Sequence, residues 1–126
     1  MKEFVEKLRK IEMDTSGERG DYELFALFLR EDSSNKWDIL ITADWIIKDK
    51  EDALRYLSRK IQKAFTKDEL SLISRIVIIE NDNPALPSLK QFVKAKHGLV
   101  EIKDSNLFGL EIKHAFFITI GNSQVV

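Results

Sequence analysis

RIVIIENDNPALPS, residues 75–88, decides how the rest of the chain reads. Ile76 to Ile79 form a continuous apolar run bounded by polar residues, the pattern of a central parallel strand covered on both faces. Glu80, Asn81, Asp82 and Asn83 then supply turn chemistry, and Pro84 and Pro87 suit the opening of a helix, where a missing N–H costs nothing. The stretch is a strand-to-helix junction. It predicts a buried strand whose cover comes from flanking helices.

Upstream, Ala53, Leu54, Leu57, Ile61, Ala64 and Phe65 form one helical stripe that starts near Asp49 or Lys50. TKDEL follows as a capping box, with Thr66 accepting from the amide of Glu69 and Glu69 reaching back. Before the stripe, YELFALFL and WDILITADWII are rich in strand formers and are joined by the turn-rich REDSSNK, which predicts an antiparallel hairpin. Both alternating sets of YELFALFL are apolar, so that strand belongs inside the sheet. Phe4, Leu8 and Ile11 mark a short amphipathic helix over 2–13, ending before a mobile TSGERGD loop.

Downstream, Leu89, Phe92 and Val93 give the buried stripe of the next helix, which Gly98 stops. LVEI, a turn at KDSN and LFGLEIKHAFFITI then make a second hairpin. Its last strand puts Leu110, Ile112, His114, Phe116, Ile118 and Ile120 on one face and Glu111, Lys113, Ala115 and Phe117 on the other.

The expected order is α-β-β-α-β-α-β-β: one α/β domain over residues 1–126 with a mixed sheet of about five strands and helices packed on it. Right-handed crossovers would make the middle strands parallel and put the two crossover helices on one face. The N-terminal helix would then cover part of the other.

Composition narrows the function classes. At 44% hydrophobic and 33% charged, the chain has the makeup of a folded protein with a proper core. A net charge of -1 commits it to no nucleic acid, membrane or cationic partner through its global field. The absence of cysteine removes disulfides, thiolate metal sites and cysteine nucleophiles. Nothing resembles a secretory leader or the roughly 20 apolar residues of a membrane span, so a cytoplasmic location is the default expectation.

Ligands of open α/β sheets gather at the carboxyl ends of parallel strands. Asp44, Glu80 and Asp82 would emerge there together and would hold Mg²⁺ through oxygen ligands for phosphoryl transfer or phosphodiester cleavage. The plainer reading makes them turn, cap and strand-end residues. EIK at 101–103 and again at 111–113 resembles the carboxylate–lysine pair of metal-dependent nucleases, but that motif follows an acid early in a β-meander, and here both copies end the chain. Exposed charges alternating on a half-buried hairpin explain them better.

His97, at a helix C-terminus, and His114, on an apolar strand face, are the only histidines. Each reads more simply as a dipole-favoured or hydrogen-bonded residue than as a general base. The glycines at 17, 20, 98, 109 and 121 match neither the phosphate loop nor the dinucleotide fingerprint, so no cofactor is expected beyond Mg²⁺ under the carboxylate reading. Arg55, Arg59 and Lys63 lie on the long helix without an intervening acid, and Lys90, Lys94 and Lys96 on the next. Together they would make a basic surface for nucleic acid.

The leading expectation is non-enzymatic: a binding or protein-interaction module that self-associates. HAFFITIGNSQVV, if it lay at the sheet edge, would pair across a two-fold axis. A carboxylate-dependent enzyme is the second reading and nucleic-acid association the third.

Overall fold

Leu24 to Phe28 are buried one after another without alternation, and that run is the middle of the sheet. In the computed structural model, which describes residues 1–121, β1 (Leu24–Arg30) pairs antiparallel with β2 (Trp37–Thr42) on one side. On its other side it pairs antiparallel with β5 (Leu110–Ile120). β3 (Ile73–Ile78) lies parallel to β2, and β4 (Val100–Leu107) antiparallel to β5, giving the order β3-β2-β1-β5-β4. The expected element order and mixed five-stranded sheet are both present.

Helices cover both faces. α1 (Lys2–Arg19) and α3 (Lys50–Ala64) bring Phe4, Leu8 and Ile11, with Ala53, Leu57 and Ile61, onto Phe25, Leu27, Ile39 and Ile41. α5 (Ala85–Phe92) brings Leu86 and Leu89 onto Leu24, Ala26, Phe28 and Leu40. The two long crossover helices are therefore on opposite faces, not one, and α1 shares its face with α3. The reason is the strand order. β3 and β4 occupy opposite edges and run antiparallel in sense, so the connection through α5 spans the whole sheet instead of making a second parallel unit.

The same order moves RIVIIE from the centre to an edge. Its apolar run misled because helices cover both faces: Ile76 and Ile78 pack into one core, Val77 and Ile79 into the other. Ser74 and Arg75 near its start are polar and exposed, a composition that suits an edge strand.

Other differences have local causes. α1 continues through Thr15, Ser16 and Gly17, because Thr15 and Ser16 are buried and the tertiary contact outweighs the roughly 1 kcal/mol helix cost of a glycine. ADWII leaves the strand and becomes α2 (Asp44–Lys48). The long helix starts with Asp49 accepting from the Asp52 amide at 3.1 Å, and the capping box of Thr66 and Glu69 opens α4 (Lys67–Leu70) as read. α5 stops at Phe92, well before Gly98, and Phe92 points outward instead of joining its stripe. β4 runs straight through KDSN, so the hairpin turns at Phe108 and Gly109 instead.

Two register shifts reshape β5. Between Phe25 and Ala26 its partner jumps from Thr119 to Phe117, and between Leu29 and Arg30 from His114 to Ile112. Each skipped residue reverses the alternation, so Ile112, Ala115, Phe117 and Ile120 share the α5 face while Phe116, Ile118 and Thr119 face α1. The simple two-residue alternation therefore fails at both ends. β5 is also interior, paired on both sides, which removes the terminal-strand edge expected for dimerisation; the last part of that segment, residues 122–126, lies outside the described residues.

The register makes a sharp distinction between two residues that simple alternation puts on one face. Phe117→Ala, which empties a fully buried ring site against Phe28, is expected to cost about 3–5 kcal/mol in urea unfolding. Lys113→Ala, at a skipped and exposed position, is expected to stay within about 0.5 kcal/mol.

Candidate functional site

The parallel pairing of β2 and β3 does bring the carboxyl ends of both strands to one sheet edge, with Ile41 opposite Ile78. Asp44 opens the short α2 there, and Glu80 and Asp82 follow β3; all three side chains are exposed. Glu80 forms an ion pair with Lys50 at the start of α3. Among the described residues, no three of His, Asp and Glu stand where a metal ion would be held. A buried acid absent from the sequence-based candidates lies near the start of β2: Asp38, bracketed by Arg30 at 2.7 Å and Arg75 at 3.3 Å.

The basic residues do not form one surface, because α3 and α5 lie on opposite sides of the sheet. Lys90 pairs with Glu23, and Lys96 with Asp21 at 3.6 Å. On α3, Arg55 is neutralised within its own helix by Glu51 at 3.2 Å. Arg59 and Lys63 remain exposed, with no hydrogen bond or ion pair among the described residues.

The two histidines separate clearly. His114 stacks with Phe116 at 4.6 Å between ring centroids, and its Nε2 meets Glu101 on the neighbouring strand. His97 belongs to a deeper arrangement. After α5 the chain turns along the end of β5, where Ala95 bridges Ile120 and Gly98 N–H donates to Ile118 O at 2.9 Å. His97 has φ +53°, a left-handed conformation that an L side chain adopts only when its surroundings demand it.

That conformation joins His97 to Glu12. The His97 Nδ1 and a Glu12 carboxylate oxygen are 2.7 Å apart, and Glu12 is 0% exposed. The other carboxylate oxygen accepts from Thr119 Oγ1 at 2.8 Å, while Thr119 Oγ1 accepts from the His97 backbone N–H at 3.0 Å. Arg9, one turn earlier on α1, donates to the His97 carbonyl at 3.4 Å. The cluster ties α1, β5 and the segment after α5 together, and the skipped residue in β5 is what turns Thr119 toward it. One signal in the sequence pointed here: Glu12 is four residues after Leu8, on the buried stripe itself.

On the opposite face, a groove of about 510 Å³ opens between α5 and the β4–β5 turn. Asn83, Pro84, Ala85, Ser88, Leu89 and Phe92 line one wall, Asn106, Leu107, Phe108 and Gly109 the other. Phe108 takes φ +53° in the turn, which costs an L residue about 1–2 kcal/mol; its ring packs on Phe28 at 6.0 Å. Phe92 stands on the groove rim, 83% exposed. Among the described residues none that lines this groove is charged, in a chain that is 33% charged, a composition typical of interface cores. Helical spacing had placed Phe92 in the core, so no sequence signal marked the groove.

These features define an α/β domain with helices on both sheet faces and a polar cluster buried under one of them. No known protein family, curated protein or solved structure matches the chain. No helix among the described residues is long and apolar enough to cross a membrane.

Two measurements probe this side of the molecule. His97→Asn keeps a residue that tolerates the left-handed backbone but removes the partner of a buried carboxylate; it is expected to lower unfolding stability by about 2–3 kcal/mol, with Glu12→Gln less costly in that background than alone. The second concerns Tyr22 and Tyr56, the two tyrosines. Burial pushes both phenols above their ordinary value, and the Glu18 carboxylate pushes Tyr56 further. A raised folded value means stability is full below the unfolded value of about 10 and is lost as pH climbs past it. At about pH 10.5 the native chain is expected to show little phenolate absorbance, while the urea-unfolded chain is more than half ionised.

Proposed function

We propose that the chain is a non-catalytic interaction module that pairs with a second copy of itself through the groove between α5 and the β4–β5 turn. The observation that carries this is Phe92, a phenyl ring 83% exposed beside an uncharged groove. A projecting ring next to a recess on one face is self-complementary: under a two-fold axis each Phe92 enters the other copy's groove. A two-fold contact also sets every charge near the axis against its own copy, so a charge-free lining meets its twin without repulsion.

Burying one ring contributes roughly 1.5–3 kcal/mol, and the symmetric contact doubles it. The two rings together, at about 3–6 kcal/mol, fall short of the roughly 8 kcal/mol net of a micromolar dimer, so the walls of the groove have to be buried with them and the dimer is expected to be weak and reversible. Sedimentation across about 1 μM to 1 mM should reveal a concentration-dependent dimer in the wild type, and a monomer with an unchanged far-UV spectrum in Phe92→Ser. A wild type that stays monomeric throughout that range would remove the proposal.

A further inference from the structure

A shallow, open recess of about 370 Å³ lies along the outer face of α3, lined by Tyr56, Arg59, Lys60, Gln62 and Lys63 of that one helix. It joins an aromatic ring, three cations and an amide, and none of its lining residues is acidic. Arg59 and Lys63, one helical turn apart, make no ion pair or hydrogen bond among the described residues. Tyr56 stands among these basic positions in the sequence, one turn before Arg59 and Lys60, and the helix sets its ring beside them.

We propose that this recess binds the base and phosphate of a nucleotide unit, whether free or within a single strand of nucleic acid. An aromatic surface for the base beside cations for the backbone is the pairing by which single strands are held without sequence preference. Tyr56 suits that role because its phenol stays protonated: burial and the hydrogen bond to Glu18 both oppose ionisation, so the ring brings no negative charge to a phosphate. Glu18, the nearest acid, is already engaged by the Tyr56 hydroxyl and by Lys60 at 3.1 Å. Arg19, tethered to Asp52 at 2.8 Å, lies over the Tyr56 ring 4.0 Å from its centroid, and the Lys60 ammonium lies 5.4 Å from the same centroid, so a base would meet the ring on the side that faces the recess. The site is separate from the Phe92 groove, which is on the other face of the sheet.

Arg59 and Lys63 would meet phosphate, Tyr56 the base and Gln62 the base edge. Arg55, held by Glu51, contributes little. This refines the basic trio of the sequence reading by exchanging Arg55 for Tyr56.

Fluorescence anisotropy of a labelled oligothymidylate, titrated with the full chain at two salt concentrations, tests the proposal; unlabelled AMP and unlabelled oligothymidylate serve as competitors. Salt-sensitive binding is expected, about tenfold weaker in Tyr56→Ala and retained in Tyr56→Phe. Lys63→Gln is expected to weaken binding and reduce the salt slope by about 1, with Arg55→Gln near wild type. Competition by AMP at equal nucleotide concentration assigns the site to free nucleotides; competition by the oligonucleotide alone assigns it to single strands. Absence of binding, or binding unmoved by Tyr56→Ala and Lys63→Gln in folded protein, would overturn the inference.

Discussion

A strand covered by helices on both faces has no side left for polar residues, and the rest of this molecule is arranged around that constraint at β1. Its residues Leu24 to Phe28 are all buried, three of them turned to one core and two to the other. β1 lies mid-sheet, with both its hydrogen-bonding edges occupied by β2 and β5. Because the two neighbours are then fixed, β3 and β4 are left as the edges, and the chain between them has to cross the whole sheet. α5 lies on that crossing, which is why it covers the face that α1 and α3 leave open.

Crossing the sheet has a second effect. The segment after α5 wraps from one face round the end of β5 to the other, carrying His97 over to Glu12. A carboxylate with no exposure is expensive unless every lone pair is engaged. Here an imidazole and a threonine hydroxyl supply the partners, and a skipped residue in β5 supplies the threonine's direction. Glu12, His97 and Thr119 come from the start, the last third and the end of the chain. Their agreement depends on the full topology being in place.

The parts of the fold legible in the sequence are those written in local patterns. The α3 stripe, the Thr66–Glu69 capping box and the interior character of β1 all rest on residues within a few positions of one another. What escaped depends on distant partners. An apolar run such as Ile76 to Ile79 looks the same at the centre of a sheet and at an edge covered by helices on both faces. The strand register of β5 is set by β1, so its two skipped residues leave no trace in period-two reading. Phe92 sits at a helical position suited to a core, yet Leu89 and Val93 on either side of it turn inward while its own ring turns out. For the candidate sites, residue types were visible but their company was not: Asp44, Glu80 and Asp82 reach the same edge without gathering, whereas Tyr56 joins cations on its own helix.

The distribution of rings between the two cores divides the molecule optically. Trp37, Trp45, Tyr22 and Tyr56 all belong to the α1 and α3 side, where Trp45 meets Tyr22 and Tyr56 edge-on. The α5 side holds only phenylalanines, among them Phe28, Phe108 and Phe117. Intrinsic fluorescence and near-ultraviolet dichroism therefore watch one layer of the protein and are nearly blind to the other. Loosening of α5 would pass as a silent change in those signals, and a tryptophan introduced beside the groove is what would give that half of the molecule a voice.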